Sequence, residues 1–106
     1  MNSADYRAGV AARMTEAELQ AHVIRAATTL GWRHYHTHRS DRSPAGFPDL
    51  VLVRRGVVIF AELKRQTGRV SPAQREWLAD LKATPNPTYV WRPADWLDGT
   101  ITHALT

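Results

Sequence analysis

The chain has 106 residues, with 14 Lys and Arg against 10 Asp and Glu, a net charge of +4 and a sequence pI near 10.1. This length and a hydrophobic content of 43% suit one modest core, so separate catalytic and recognition domains are not expected. The absence of cysteine excludes a disulfide framework, a thiol nucleophile and a Cys-based zinc site. No apolar run approaches the ~20 residues of a membrane span, and the polar start lacks the apolar stretch of a signal peptide, so the expected setting is cytoplasmic. Twelve of the 14 basic residues are arginine, the better bidentate partner for phosphate, which points toward a nucleic-acid surface.

Residues 1–14 mix Gly, Ala and charges without a sustained period and read as a flexible leader, leaving 15–106 as the domain. Thr15-Glu16-Ala17-Glu18 fits a capping box, and the helix it opens runs to Leu30, with Gly31 closing it. At 100° per residue Leu19, Val23, Ala27 and Leu30 form one stripe, on which Glu16 and Gln20 also fall. Trp32 to His36 reads as a short strand, followed by a polar loop from His38 to Gly46. Residues 49–54 and 57–64 are near-continuous apolar runs flanking Arg55-Gly56, the pattern of a central hairpin buried on both faces. After a basic loop at 65–69, Ser71-Pro72-Ala73-Gln74 opens a second helix with Trp77, Leu78 and Leu81 on its apolar side. Pro85-Asn86-Pro87 ends it, Thr88 to Trp91 reads as a strand, and the tail from Pro93 is poorly defined. The expected fold class is a single α/β domain with a mixed central sheet flanked by helices, in the order α-β-β-β-α-β.

The hairpin carries charges whose register can be worked out. With Arg55-Gly56 as a two-residue turn, Arg54 faces Val57 and, counting outward, Asp49 lies directly opposite Glu62. Lys64 projects from the same face as Glu62. Two carboxylates facing each other at ~5 Å repel unless something positive lies between them. One reading is an ion-pair cluster on a solvated face. The apolar neighbours argue instead for partial burial, and a hard divalent cation, Mg²⁺ or Mn²⁺, is the economical partner for oxygen ligands.

Gly46-Phe47-Pro48-Asp49-Leu50 followed by Glu62-Leu63-Lys64 resembles the PD-(D/E)xK nuclease signature. The wider pattern, from Thr15-Glu16 through Gln20, Gly31-Trp32, the His-rich segment, Gln74 and Val90-Trp91-Arg92-Pro93, resembles the compact VRR-NUC domains of phage and repair nucleases. The resemblance implies a restriction-endonuclease-like fold and a Mg²⁺-dependent endonuclease acting on DNA, leaving 5′-phosphate and 3′-hydroxyl ends. It implies metal binding by Asp49, Glu62 and the main-chain carbonyl of Leu63, with Lys64 beside the attacking water. It also implies a glutamate on the first helix. Glu18 is explained by the capping box, so Glu16 is chosen, reaching the metal through water. Gln74 is either a further catalytic residue or only a cap.

His36, Arg39, Arg42, Arg65 and Arg69 stand at the catalytic end and are the expected DNA contacts. Arg54-Arg55 is ~17 Å away along the strand and is left out. Alternating His34, His36 and His38 offer a zinc reading without an evident fourth ligand. The four tryptophans are read as core or interface, with Trp96 the one candidate for a stacking platform or a dimer contact. With no room for a sequence-reading module, recognition is expected to rest on DNA shape, as at flaps or four-way Holliday junctions, and a homodimer would present two sites. The competing class is a DNA-binding module without catalysis, its Asp-Glu-Lys cluster structural; RNA processing has no supporting residue.

Overall fold

The segment expected to be a leader is helical. Asn2 accepts a hydrogen bond from the Asp5 N–H at 2.8 Å and caps α1 (Ser3–Arg13). Val10, Ala11 and Met14, all near the helix C-terminus, pack inward. The apolar signal therefore occupies barely one turn of an alanine-rich helix, too short to give a readable period. In the computed structural model, which describes residues 2–38 and 42–106, α1 packs beside α4 (Pro93–Leu97).

The Thr15–Glu18 capping box forms as expected and opens α2 (Glu16–Thr29). Leu19, Val23 and Ala27 are buried, but Glu16 and Gln20 do not share their burial: Glu16 is exposed and Gln20 half-buried. The stripe narrows at its N-terminal end, because the first turn overhangs the surface that the later turns cover. Gly31, at φ +87°, turns the chain into β1 (Arg33–His36).

The hairpin register is the one counted from the sequence. In β2 (Leu50–Arg54) and β3 (Val57–Leu63), Arg54 faces Val57 and Leu50 faces Ala61. Arg55 and Gly56 both have positive φ, 49° and 79°, the backbone of a type I′ turn. β1 pairs antiparallel with β2, and β3 pairs in parallel with β4 (Thr88–Trp91) after a crossover through α3 (Pro72–Lys82), giving the sheet order β1-β2-β3-β4. The result is the expected mixed sheet flanked by helices. The Ser71–Gln74 capping box of α3 also forms.

One face of the sheet is fully covered. Leu50, Leu52, Ile59, Ala61, Leu63 and Trp91 pack with Leu19, Val23 and Ala27 of α2 and with Ile101 and Leu105 of α5 (Thr100–Leu105). The tail from Pro93 is thus part of the core, and the indole N–H of buried Trp32 donates to the Leu105 carbonyl at 2.9 Å. The other face departs from the expectation of two-sided burial. Phe47 packs edge-on against Phe60 and Trp77, while Val53 stays 41% exposed and Tyr35 64% exposed. A single helix, α3, lies over this face beside β4, so the β1–β2 half stays open. Among the described residues no helix is long and apolar enough to cross a membrane.

Candidate active site

Extending the hairpin pairing by one position puts Asp49 opposite Glu62 at the open end of β2 and β3, and three local devices hold Asp49 there. The N–H of Thr37 donates to the Asp49 carbonyl at 2.8 Å and the Thr37 hydroxyl to the Pro48 carbonyl at 2.8 Å, continuing the β1–β2 ladder through the loop. The carboxylate of Asp49 accepts the N–H of Leu63 at 2.8 Å. Main-chain groups of Phe60 and Lys64 bond toward the β4 side, so those of Leu63 face β2 and the site. The third device is Gly46, with φ +101°, where a Cβ would stand 2.5 Å from both the carbonyl carbon and oxygen of Ala73. Only glycine allows the loop before Asp49 to rest on the first turn of α3.

Glu62 is 1% exposed, the single charged residue among the buried side chains described. Alternation along β3 turns it and Lys64 away from the face that carries Ala61 and Leu63. Lys64 Nζ lies 3.4 Å from Glu62 Oε2, with its side chain 12% exposed. The carboxyl of Glu62 is pushed up to about 7, first by burial and then by the neighbouring Asp49 charge, against the opposing pull of Lys64. One ammonium does not compensate two carboxylates, and Oε1 of Glu62 is buried with no hydrogen-bond partner. Trp91 Nε1 is likewise buried and unpartnered, and nothing in the structure explains it. An orphaned carboxylate oxygen beside a second carboxylate, with a main-chain carbonyl at the end of β3, fits a hard divalent cation. Asp49, Glu62 and the Leu63 carbonyl are the groups that could hold one.

The loop that follows Lys64 is fastened from the β4–α4 junction. Nη1 of Arg92 donates to the carbonyls of Arg65 at 2.8 Å, Gln66 at 3.3 Å and Gly68 at 2.8 Å, and Gln66 Oε1 accepts the Ala94 N–H at 2.9 Å. Thr37 and Arg92, neither given a role from the sequence, are thus the residues that set the two loops of the site. Thr37 continues the strand alternation into the loop, which is a usable signal; Arg92 bonds to residues more than twenty positions earlier and gives no local one.

The remaining expected residues are only partly gathered. Among the described residues no three His, Asp or Glu side chains form a metal-binding group, so Glu16 does not join Asp49 and Glu62, and His34, His36 and His38 do not make a zinc site. The reason for Glu16 is geometric: α2 packs on the opposite face of the sheet from the two site carboxylates. The Oε1 of Gln74 is occupied by the Ser71 N–H at 2.9 Å, which is the capping role. His36 is half-buried against the His38 ring, with centroids 4.8 Å apart. Arg65 extends toward the α1–α2 junction, reaching the Ala12 carbonyl at 3.5 Å, and its charge helps hold the Glu18 carboxyl below its ordinary range, after the two Thr15 hydrogen bonds. Arg42 and Arg69 are exposed, and Arg39 lies outside the described residues.

A family model for the VRR-NUC domain matches residues 6–94, from within α1 to the start of α4. A solved structure described as a VRR-NUC domain shares the fold with a TM-score of 0.69 at 24% identity, over 85% of this chain and 98% of that one. Another, described as a VRR-NUC domain protein, gives a TM-score of 0.67 at 22% identity, over 88% of this chain and 91% of that one. No curated protein matches the sequence.

Proposed function

The chain belongs to the VRR-NUC domain family, a nuclease-type family, and from that premise we propose that it is a metal-dependent endonuclease hydrolysing phosphodiester bonds in branched DNA. The observation that carries this reading is Glu62, buried beside Asp49 with one oxygen unpartnered and Lys64 at 3.4 Å. A structural ion pair has no use for a second carboxylate and an orphaned oxygen, whereas a cation site does. Asp49, Glu62 and the Leu63 carbonyl would hold Mg²⁺, for which Mn²⁺ would substitute. When bound, the ion supplies Lewis-acid activation of a water and of the scissile phosphate.

The chain's own groups do the rest. The Leu63 N–H fixes the Asp49 carboxylate in orientation, so little reorganisation accompanies the reaction. Lys64 holds the attacking water and offsets the charge that develops on the phosphate oxygens. Arg92, through the loop carbonyls, keeps the segment after Lys64 from drifting. The arginine-rich composition supplies sequence-independent attraction to the DNA backbone, and the choice among substrates rests on DNA shape. A symmetric dimer would deliver paired cuts to a junction.

The test is a panel of four-way junction, flap, single-stranded and duplex DNA incubated in Mg²⁺, Mn²⁺ or EDTA. Cleavage only with the metals, abolished by Asp49→Asn and Lys64→Ala while DNA binding survives, is the expected result. Binding indifferent to chelator and without cleavage in either metal would establish the non-catalytic reading instead.

A further inference from the structure

The site carboxylates sit at one end of the sheet face that α3 leaves half open. Pairing puts Thr37 beside Asp49, Tyr35 beside Val51 and Arg33 beside Val53, all on the face from which Asp49 and Glu62 project. Along β1 this makes a row that leaves the site at Thr37, passes the 64% exposed ring of Tyr35 and ends at Arg33, four residues or ~13 Å away. There Arg33, Arg54 and Arg55 line an open cavity of about 380 Å³ with Gly31 and Val53. Arg54 is committed to structure: its guanidinium stacks 4.5 Å from the Trp32 ring and donates to the Leu30 and Thr106 carbonyls at 3.0 and 3.1 Å. Arg33 and Arg55 pair with no carboxylate among the described residues. An exposed aromatic ring flanked by an unneutralised arginine, continuous with a phosphodiester-cleaving site, has the composition of a single-strand track.

We propose that the open β1–β2 half of the sheet carries an unpaired DNA strand leading away from the active site, with one base stacked on Tyr35 and a phosphate held by Arg33. The direction of the strand rests on the nuclease reading above; the binding surface itself does not. A stacking platform takes an unpaired base and not one inside a duplex, so the track favours substrates with a single-stranded arm. Charge complementarity favours DNA over a second copy of this basic chain as the occupant.

The experiment is fluorescence anisotropy in EDTA, where no cleavage intervenes, with a labelled oligothymidine strand and a blunt duplex of the same length. Tyr35→Ala weakens binding of the single strand by roughly 5- to 100-fold and changes duplex binding by less than about twofold. Tyr35→Phe retains the wild-type affinity. Arg33→Ala lowers the slope of log K against log salt on the single strand by about 0.7. Both side chains are exposed, so thermal midpoints stay near wild type, and Arg33→Gln repeats the charge test if the alanine variant misfolds. Equal losses on strand and duplex, or no loss on the strand, would overturn the proposal. So would a wild-type dimer that Tyr35→Ala dissociates with DNA binding intact. Absence of cleavage by the wild-type protein in Mg²⁺ and Mn²⁺ would remove the nuclease reading while leaving this comparison to stand or fall separately.

Discussion

Replacing Glu62 by glutamine should make the metal-free protein more stable, by an amount that grows as pH rises from 4.5 and levels off above about 7. Burial and the Asp49 charge raise the Glu62 carboxyl from 4.5 to about 7, which amounts to about 3 kcal/mol of folded-state destabilisation once the group is ionised. The sign follows from proton counting. Below pH 4.5 the carboxyl is protonated in both folded and unfolded chains and contributes no difference; between 4.5 and 7 the folded chain holds a proton that the unfolded chain has released, so stability falls as pH rises and then levels off. Glutamine mimics the protonated form at every pH. At pH 8.5 in EDTA, Glu62→Gln should therefore exceed the wild type by about 2–3 kcal/mol, a rise of roughly 10–20 °C in Tm for a domain of this size. At pH 5 the two should melt within a few degrees of each other. Thermal unfolding followed by tryptophan fluorescence at both pH values gives the answer, and titrating groups that do not interact with Glu62 cancel in the difference. Adding Mg²⁺ at pH 8.5 should stabilise the wild type and leave the variant unmoved. An equal gain at pH 5 and 8.5, or a loss at pH 8.5, would refute the picture of two uncompensated carboxylates.

Gly46→Ala should cost about 3 kcal/mol or more, since its Cβ would meet the Ala73 backbone at 2.5 Å in a left-handed conformation; a melt within 1 kcal/mol of wild type would deny that contact. Arg55→Gly should stabilise the fold by about 1 kcal/mol by relieving a non-glycine residue at φ 49°, read from the urea midpoint with unchanged m-value. Arg92→Ala should speed amide exchange through residues 65–68 and reduce kcat roughly tenfold with KM little changed, and Arg92→Lys should not restore it, because one ammonium does not reproduce a guanidinium bonded to three carbonyls. Loss of KM alone would move Arg92 from loop positioning to DNA contact.

Much of the architecture is written locally, and those parts are the ones legible in the sequence. The capping boxes at Thr15 and Ser71 lie within four residues of chain, and the hairpin register needs only a turn and a count, which is why Asp49, Glu62 and Lys64 can be brought together on paper. What the sequence conceals is set by packing between distant segments. α1 is hidden because its buried residues fill only one turn, and α4 and α5 because short helices gain their stability from a core they complete. Glu16 is misplaced by periodicity, which says which side of a helix is apolar but not how far along the helix the cover extends. The single-sided burial of β2 and β3 is invisible for a related reason: Val53 and Leu52 look alike in a string, and only the placement of the helices decides that α2 and α5 cover Leu52 while α3 leaves Val53 open.

The Arg55–Gly56 turn also bears on how such a chain can change length. Asp49 and Glu62 are thirteen positions apart, and with a two-residue turn that odd separation is what lets them face each other. One residue inserted or deleted at the hairpin tip would carry Glu62 to the opposite side of the sheet, while two would keep the side but slide the carboxylates past each other by a full pleat. Lineages that lengthen this domain are therefore expected to do so in the polar segment between His38 and Gly46, where extra residues leave that parity untouched, and to keep the tip at constant length.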